Sequence, residues 1–153
     1  MSYLNISGFS TGKMLLSLSA MVFIFLITAC GNDDLPESGT LNERIDRLIQ
    51  NDRYQEALDI LNSQNREEPE VLMLLEKTHL NYGLNSMSTF DANEMRTRMN
   101  NALIQFVEVL KINPENEVAR NQINQILGVY DTMPNRGPEP DAIEALREIG
   151  IEY

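Results

Sequence analysis

The sequence predicts an all-α protein, and three observations carry that prediction. From Leu41 onward apolar residues return at spacings of three and four, never in a sustained alternation of two. Prolines and capping residues fall between the apolar stretches, where helices must stop and start. An alanine followed twelve residues later by a proline occurs twice, at Ala57–Pro69 and Ala102–Pro114.

Taken in order, the first stripe is Leu41, Ile45, Leu48 and Ile49, and the second is Tyr54, Ala57, Leu58 and Leu61. Val71, Leu74, Leu75, Thr78 and Tyr82 make the third; Met95, Met99, Ala102, Leu103, Phe106 and Leu110 make the fourth. Ala119, Ile123, Ile126, Leu127 and Tyr130 form a fifth, and Ile143, Leu146 and Ile149 a short sixth. Pro69 and Pro114 follow the second and fourth stripes and prevent their continuation, because proline lacks the N–H and clashes with the preceding turn. Asp91 and Glu94 make an Asp-x-x-Glu start that resembles a capping box before the fourth helix. Asp141 can cap the last helix and Gly150 can close it.

The first 40 residues are of another kind. Residues 1–13 carry one charge, Lys13, and residues 14–28, "MLLSLSAMVFIFLIT", are apolar apart from two serines and a threonine. A bilayer span needs roughly 20 apolar residues, so this run is short for one. A basic start, a short apolar run and small residues at its end describe a secretory signal peptide. Leu26 and the four residues Ile27-Thr28-Ala29-Cys30 resemble the lipobox of bacterial lipoproteins, and Cys30 is the only cysteine. That resemblance implies cleavage after Ala29 and acyl chains on Cys30, and several chains on one residue hold a protein stably to a membrane. With Cys30 acylated the exported part has no thiol and forms no disulfide, so packing alone must hold its fold. Gly31, rather than aspartate, follows the cysteine; by analogy with well-studied envelopes this implies the outer membrane, on its periplasmic face or at the cell surface. Asn32-Asp33-Asp34 reads either as a solvated tether or as an acidic surface-export signal. Residues 31–40, "GNDDLPESGT", form a flexible tether of at most ~30 Å at roughly 3.3 Å per residue.

The part beyond residue 29 has 124 residues, one domain's worth. It holds all 23 acids and 11 of the 12 basic residues, a net charge of −12. Such a surface repels phosphate backbones, which disfavours nucleic acid as a partner.

The segments 52–70, "DRYQEALDILNSQNREEPE", and 98–117, "RMNNALIQFVEVLKINPENE", resemble the second helix of a tetratricopeptide repeat. The shared features are a small alanine, Leu61 or Phe106 four residues later, a terminal proline, and Tyr54 three residues before Ala57. The resemblance covers about residues 41–130 and implies a short α-solenoid of antiparallel helix hairpins, about six helices in all. Residues 1–29 are then the signal peptide, 30–40 the lipidated cysteine and tether, 41–131 the repeats, and 132–153 a loop and capping helix. The two alanines stand 45 residues apart instead of 34, which places about 11 inserted residues within 84–98, in the fourth helix or the loop before it. The first helices lack the family's aromatic and glycine: Ile45 and His79 occupy the places where a small residue is usual. Repeat hairpins cannot bury their faces alone, so neighbours stack and a terminal helix closes the exposed end.

In that family the first helices line a concave groove that takes peptides. Carried over by position, the groove presents Asn42, Asp46, Met73, Glu76, Leu80, Asn121 and Gln125. These positions contain asparagine but no matching cation, which argues against a clamp for a terminal carboxylate; as solvated polar positions they need no ligand at all. Met87, Phe90, Met95 and Met99 gather around the insertion, as core packing in preference to an adaptable contact patch. His79, the only histidine, lies among Leu75 and Tyr82 at helical spacing and reads as a packed side chain. No cysteine or second histidine is present to complete a metal site with it, no serine elbow or phosphate loop occurs, and no cofactor is implied. The expectation is therefore a lipid-anchored, non-enzymatic scaffold for an envelope protein or peptide. The alternative is a small-ligand-binding component of an uptake system, which requires an enclosed cavity in place of an open face.

Overall fold

In the computed structural model, residues 38–88, 93–134 and 136–153 are described. The signal peptide, Cys30, most of the tether, Phe90 and Asp91 lie outside them. The described residues hold six helices and no strand: α1 (Leu41–Gln50), α2 (Tyr54–Asn62), α3 (Pro69–Ser88), α4 (Met95–Ile112), α5 (Glu117–Asp131) and α6 (Pro140–Glu148). The fold is all-α.

Local chemistry sets the helix ends. Thr40 closes a capping box on α1: its Oγ1 accepts from the Glu43 N–H at 3.3 Å, and its own N–H donates to Glu43 Oε2 at 2.9 Å. At the other end Asp52 takes a left-handed φ of +57°, its N–H reaching Ile49 O at 3.1 Å while Arg53 N–H reaches Leu48 O at 2.9 Å. This double bond pattern usually has glycine at its left-handed position. Here Asp52 Oδ1 accepts from both Tyr54 Oη and Asn85 Nδ2 at 2.9 Å, so side-chain bonds offset the cost of the turn. Gly150, at φ +79°, ends α6 in the same way, with Gly150 N–H on Arg147 O and Ile151 N–H on Leu146 O, both at 3.0 Å.

Three boundaries differ from the sequence reading. Pro69 is the first residue of α3, where a missing N–H leaves nothing unsatisfied, and α2 already ends at Asn62. Glu94 itself precedes α4 and makes no side-chain cap; its carboxylate pairs with Arg98 at 2.9 Å. Glu139 precedes α6, Pro140 takes the first helical position, and Asp141 falls in the first turn, its Oδ1 accepting from Ala142 N–H at 2.9 Å. Helix α3 runs 20 residues to Ser88, so residues 84–88 of the segment read as an insertion belong to α3, where the sequence reading gave that segment to the fourth helix or the loop before it.

Cross-helix pairs give the topology. Asp46 meets Lys77 and Asp52 meets Asn85, so α1 and α3 run parallel. His79 meets Gln105 and Ser86 meets Asn101, so α3 and α4 are antiparallel. Asn100 meets Glu139 and Lys111 meets Glu148, so α4 and α6 are again parallel. Helix α2 packs on α1 and α3, while α5 and α6 both pack on α4. Helix α4 is therefore the hub, and it is buried on more than the single face its apolar stripe indicates: Val107 and Val109 are as buried as Leu103 and Phe106. Ala102, Phe106, Ala119, Ile123, Tyr130, Ala142 and Leu146 belong to one continuous core around it.

The α3–α4 contact is close because Gly83 is small. A Cβ at this position would lie 2.6 Å from Phe106 Cε1. Helix α3 thus does carry a close-packing glycine, one turn beyond His79. Tyr54 and Tyr82 stack with centroids 5.0 Å apart and planes 7° apart, tying the start of α2 to the later part of α3.

Candidate interaction face

Parallel packing of α1 and α3 brings part of the expected groove together. Asp46 Oδ1 accepts from Lys77 Nζ at 2.5 Å, a bridge between the two helices. Lys77 lies four residues after Met73, on the same side of α3, and Met73 is 57 % exposed. The face therefore has a cation that the list of groove positions omitted, and spacing from Met73 was the signal available for it. An acid neutralises that cation. Asn42 is exposed at the start of α1.

Glu76 and Leu80 serve packing. Glu76 Oε1 accepts from Asn113 Nδ2 and Asn116 Nδ2, each at 2.8 Å. Asn116 also caps α5 by accepting from Ala119 N–H at 3.0 Å, so Glu76 ties the middle of α3 to the α4–α5 corner. Leu80 is half-buried against the core. Asn121 and Gln125 are exposed on α5, and neither side chain has a hydrogen-bond partner among the described residues. Of the seven positions, Asn42, Asp46 and Met73 lie on the α1–α3 side, Asn121 and Gln125 lie apart on α5, and Glu76 and Leu80 are taken up in packing between them.

His79 is 9 % exposed and faces α4, with Nδ1 2.8 Å from Gln105 Oε1. Gln105 Nε2 in turn donates to Asn101 Oδ1 at 3.3 Å, which assigns Gln105 Oε1 as the acceptor and the proton to His79 Nδ1. Burial pulls the imidazole pKa below its usual 6.5, and the Gln105 bond opposes that shift. Tyr54 moves the other way: burial and the Asp52 carboxylate push its phenol up to about 12. Among the described residues no cluster of three or more His, Cys, Asp or Glu side chains is arranged to hold a metal ion. No helix among them is long and apolar enough to cross a membrane.

The described concavities are modest. One of about 340 Å³ lies between Leu110, Pro114, Ile149 and Ile151, rimmed by Lys111, Arg120 and Glu148. Another of about 130 Å³ lies where the start of α4 meets the end of α5, and includes Met95, Met99 and Tyr130. Met87 and Met99 pack against the core, and Met95 lines this smaller pocket together with Met99. No family model, curated protein or solved structure matches the chain.

Proposed function

We propose that the chain is a membrane-anchored lipoprotein whose helical domain scaffolds an envelope protein or peptide, acting by binding and not by chemistry. The observation that carries this reading is the parallel pairing of α1 and α3. Residues 46 and 77, and 52 and 85, meet at separations of 31 and 33, close to the 34-residue period of tetratricopeptide repeats. First helices laid side by side in this register form the wall of a repeat groove. The exposed Met73, beside the Asp46–Lys77 bridge, gives that wall an apolar anchor with a polar rim. The Gly83–Phe106 approach supports the same repeat architecture, and the lipobox Ile27-Thr28-Ala29-Cys30 supports the anchor.

In-cell crosslinking of the tagged full-length protein, followed by mass spectrometry, tests the scaffold. A few recurrent envelope proteins should be recovered, and Met73→Asp or Asn121→Lys with Gln125→Lys should lose them. Recovery of the same proteins at the same yield from both variants would remove the groove from the reading. For the anchor, Cys30→Ala should abolish processing and lipid attachment; a variant that still matures and stays in the membrane would contradict it.

A further inference from the structure

Among the described residues two glycines stand inside helices, and they differ. Gly83 is required, because a Cβ there would meet the Phe106 ring. Gly128, in the last third of α5, has nothing within 4 Å of the place its Cβ would take. A glycine in a helix interior is unfavourable relative to alanine, so one that no neighbour within the domain demands asks for a neighbour outside it.

Gly128 is exposed, together with Asn121, Asn124 and Gln125, on the side of α5 turned away from its buried Ala119, Ile123, Ile126 and Tyr130. Helix α5 packs chiefly on α4, which leaves this outer side to solvent. None of the three amide side chains has a hydrogen-bond partner among the described residues. The side is also uncharged. The exposed residues of α1, α2, α3 and α6 include Glu43, Asp59, Glu70 and Glu144, whereas α5 has no charge between Arg120 and Asp131. In a chain of formal charge −11, two copies repel, and they meet most readily across a surface that sets no like charges against each other.

The pattern on this side complements itself. Val118, which is 47 % exposed, Asn121, Gln125 and Gly128 follow one another at spacings of three, four and three, the repeat of a seam between two helices. Such a spacing reads the same in both directions. Two antiparallel α5 helices related by a two-fold axis therefore set Val118 of one copy over Gly128 of the other, and Asn121 against Gln125. The apolar side chain enters the space that the missing Cβ leaves, and the amides, each a donor and an acceptor, pair across the axis. Glu117 and Asp131 stay at the helix ends. We propose that α5 is a self-association face, its occupant a second copy of this chain packed antiparallel along Val118, Asn121, Gln125 and Gly128. At roughly 1.5 Å per residue the 15-residue helix is about 22 Å long, too short a contact for the ~1,000 Å² of a stable interface, so the pairing is weak and reversible. It leaves the Met73 wall between α1 and α3 free and does not rest on the partner proposed for that wall.

The test uses the full-length protein in cells, as two co-expressed copies with different tags. A benzophenone photo-crosslinking residue replaces Asn124, beside the stripe. Irradiation should join both tags in one covalent product whose linked peptides both come from α5; the same group at Gln55, on α2, should not. Gly128→Leu should lower the yield about tenfold by filling the space meant for Val118. The purified variant should melt no lower than the unaltered protein, since its side chain enters open space and leucine favours helix. That pair of results separates a contact between copies from a role in the fold. Charge exchange identifies the occupant. Copies that all carry Asn121→Lys with Gln125→Lys, or all carry Asn121→Asp with Gln125→Asp, should lose the product, and a mixture of the two should restore it. Met73→Asp should leave it unchanged. The proposal is overturned if the crosslinker at Asn124 captures another protein or nothing in place of a second copy, if Gln55 gives the same yield, or if Gly128→Leu keeps it. It is equally overturned if lysine and aspartate copies together stay unlinked, or if Met73→Asp abolishes the product, which would move the contact to α1–α3.

Discussion

Helix α4 has two sides built from different chemistry. Toward α3 it presents Gln105 and Asn101, which reach His79 and Ser86, beside the close approach of Phe106 to Gly83. Toward α5 and α6 the contact is mainly apolar, with Ile123, Ile126, Ala142 and Leu146 sharing one core with Ala102, Leu103 and Val107, alongside the Asn100–Glu139 and Lys111–Glu148 polar pairs. The polar side contributes little net stabilisation per bond but fixes which residues face each other, since each unmatched group would be left buried and unsatisfied. The apolar side tolerates small shifts and supplies most of the burial. Polar pairing thus weighs more on the α3 side of the helix and apolar burial more on the α5–α6 side.

Phe106→Ala, which opens both sides at once, should cost the most, about 3–5 kcal/mol by chemical denaturation. Leu146→Ala touches only the apolar side and should cost about 2–4 kcal/mol; a loss equal to that of Phe106→Ala would mean that α3 gains nothing from the ring. Gly83→Ala forces the Phe106 ring aside. Overpacking of about 1–3 kcal/mol, less the better helix propensity of alanine, leaves a net loss of about 1–2 kcal/mol, and a Gly83→Ala, Phe106→Leu double variant should recover part of it.

The polar side also responds to pH. The pKa of His79 in the fold lies below the 6.5 of an exposed histidine, so the unfolded chain takes up the proton first as pH falls. Stability should therefore decline as pH drops below about 6.5 and level off only below the folded-state pKa, and His79→Gln should remove that part of the decline. The smallest effect belongs to the α1–α3 bridge: Lys77→Ala should cost no more than about 1 kcal/mol, and less at high salt, because both side chains remain well exposed.

The stripes of Ile45, Leu74, Phe106 and Ile123 made the all-α class legible, because burial on one helix face imposes its period directly on the sequence. Val107 and Val109 were not legible in the same way. They break the single-stripe pattern because α4 is enclosed from several directions, and only tertiary packing decides that. Gly83 went unread because its close approach to Phe106 exists only once α3 and α4 are packed together. On the proposed α1–α3 face, position alone singled out Asp46 and Met73, and the fold brings α1 and α3 side by side there. Lys77 was omitted because a lysine beside solvent carries no mark of its partner until α1 is placed next to it. The Tyr130 pocket had no sequence signature, since Arg96 and Arg136 are 40 residues apart and converge only where the start of α4 meets the end of α5.

The central place of α4 also orders events in time. Helices α5 and α6 pack chiefly on α4, and α3 finds its most extensive partner there. A chain emerging from its N-terminal end can close α1, α2 and α3 on one another, yet the side of α3 bearing His79 and Gly83 stays bare until Ile112 has followed. The last part of the core waits longer, for Leu146. Until then the nascent domain is an incomplete array with apolar surface on display, the condition in which chaperones bind and proteases cut. A truncation just after α3 should therefore yield a chain that is degraded, not a smaller version of the same protein.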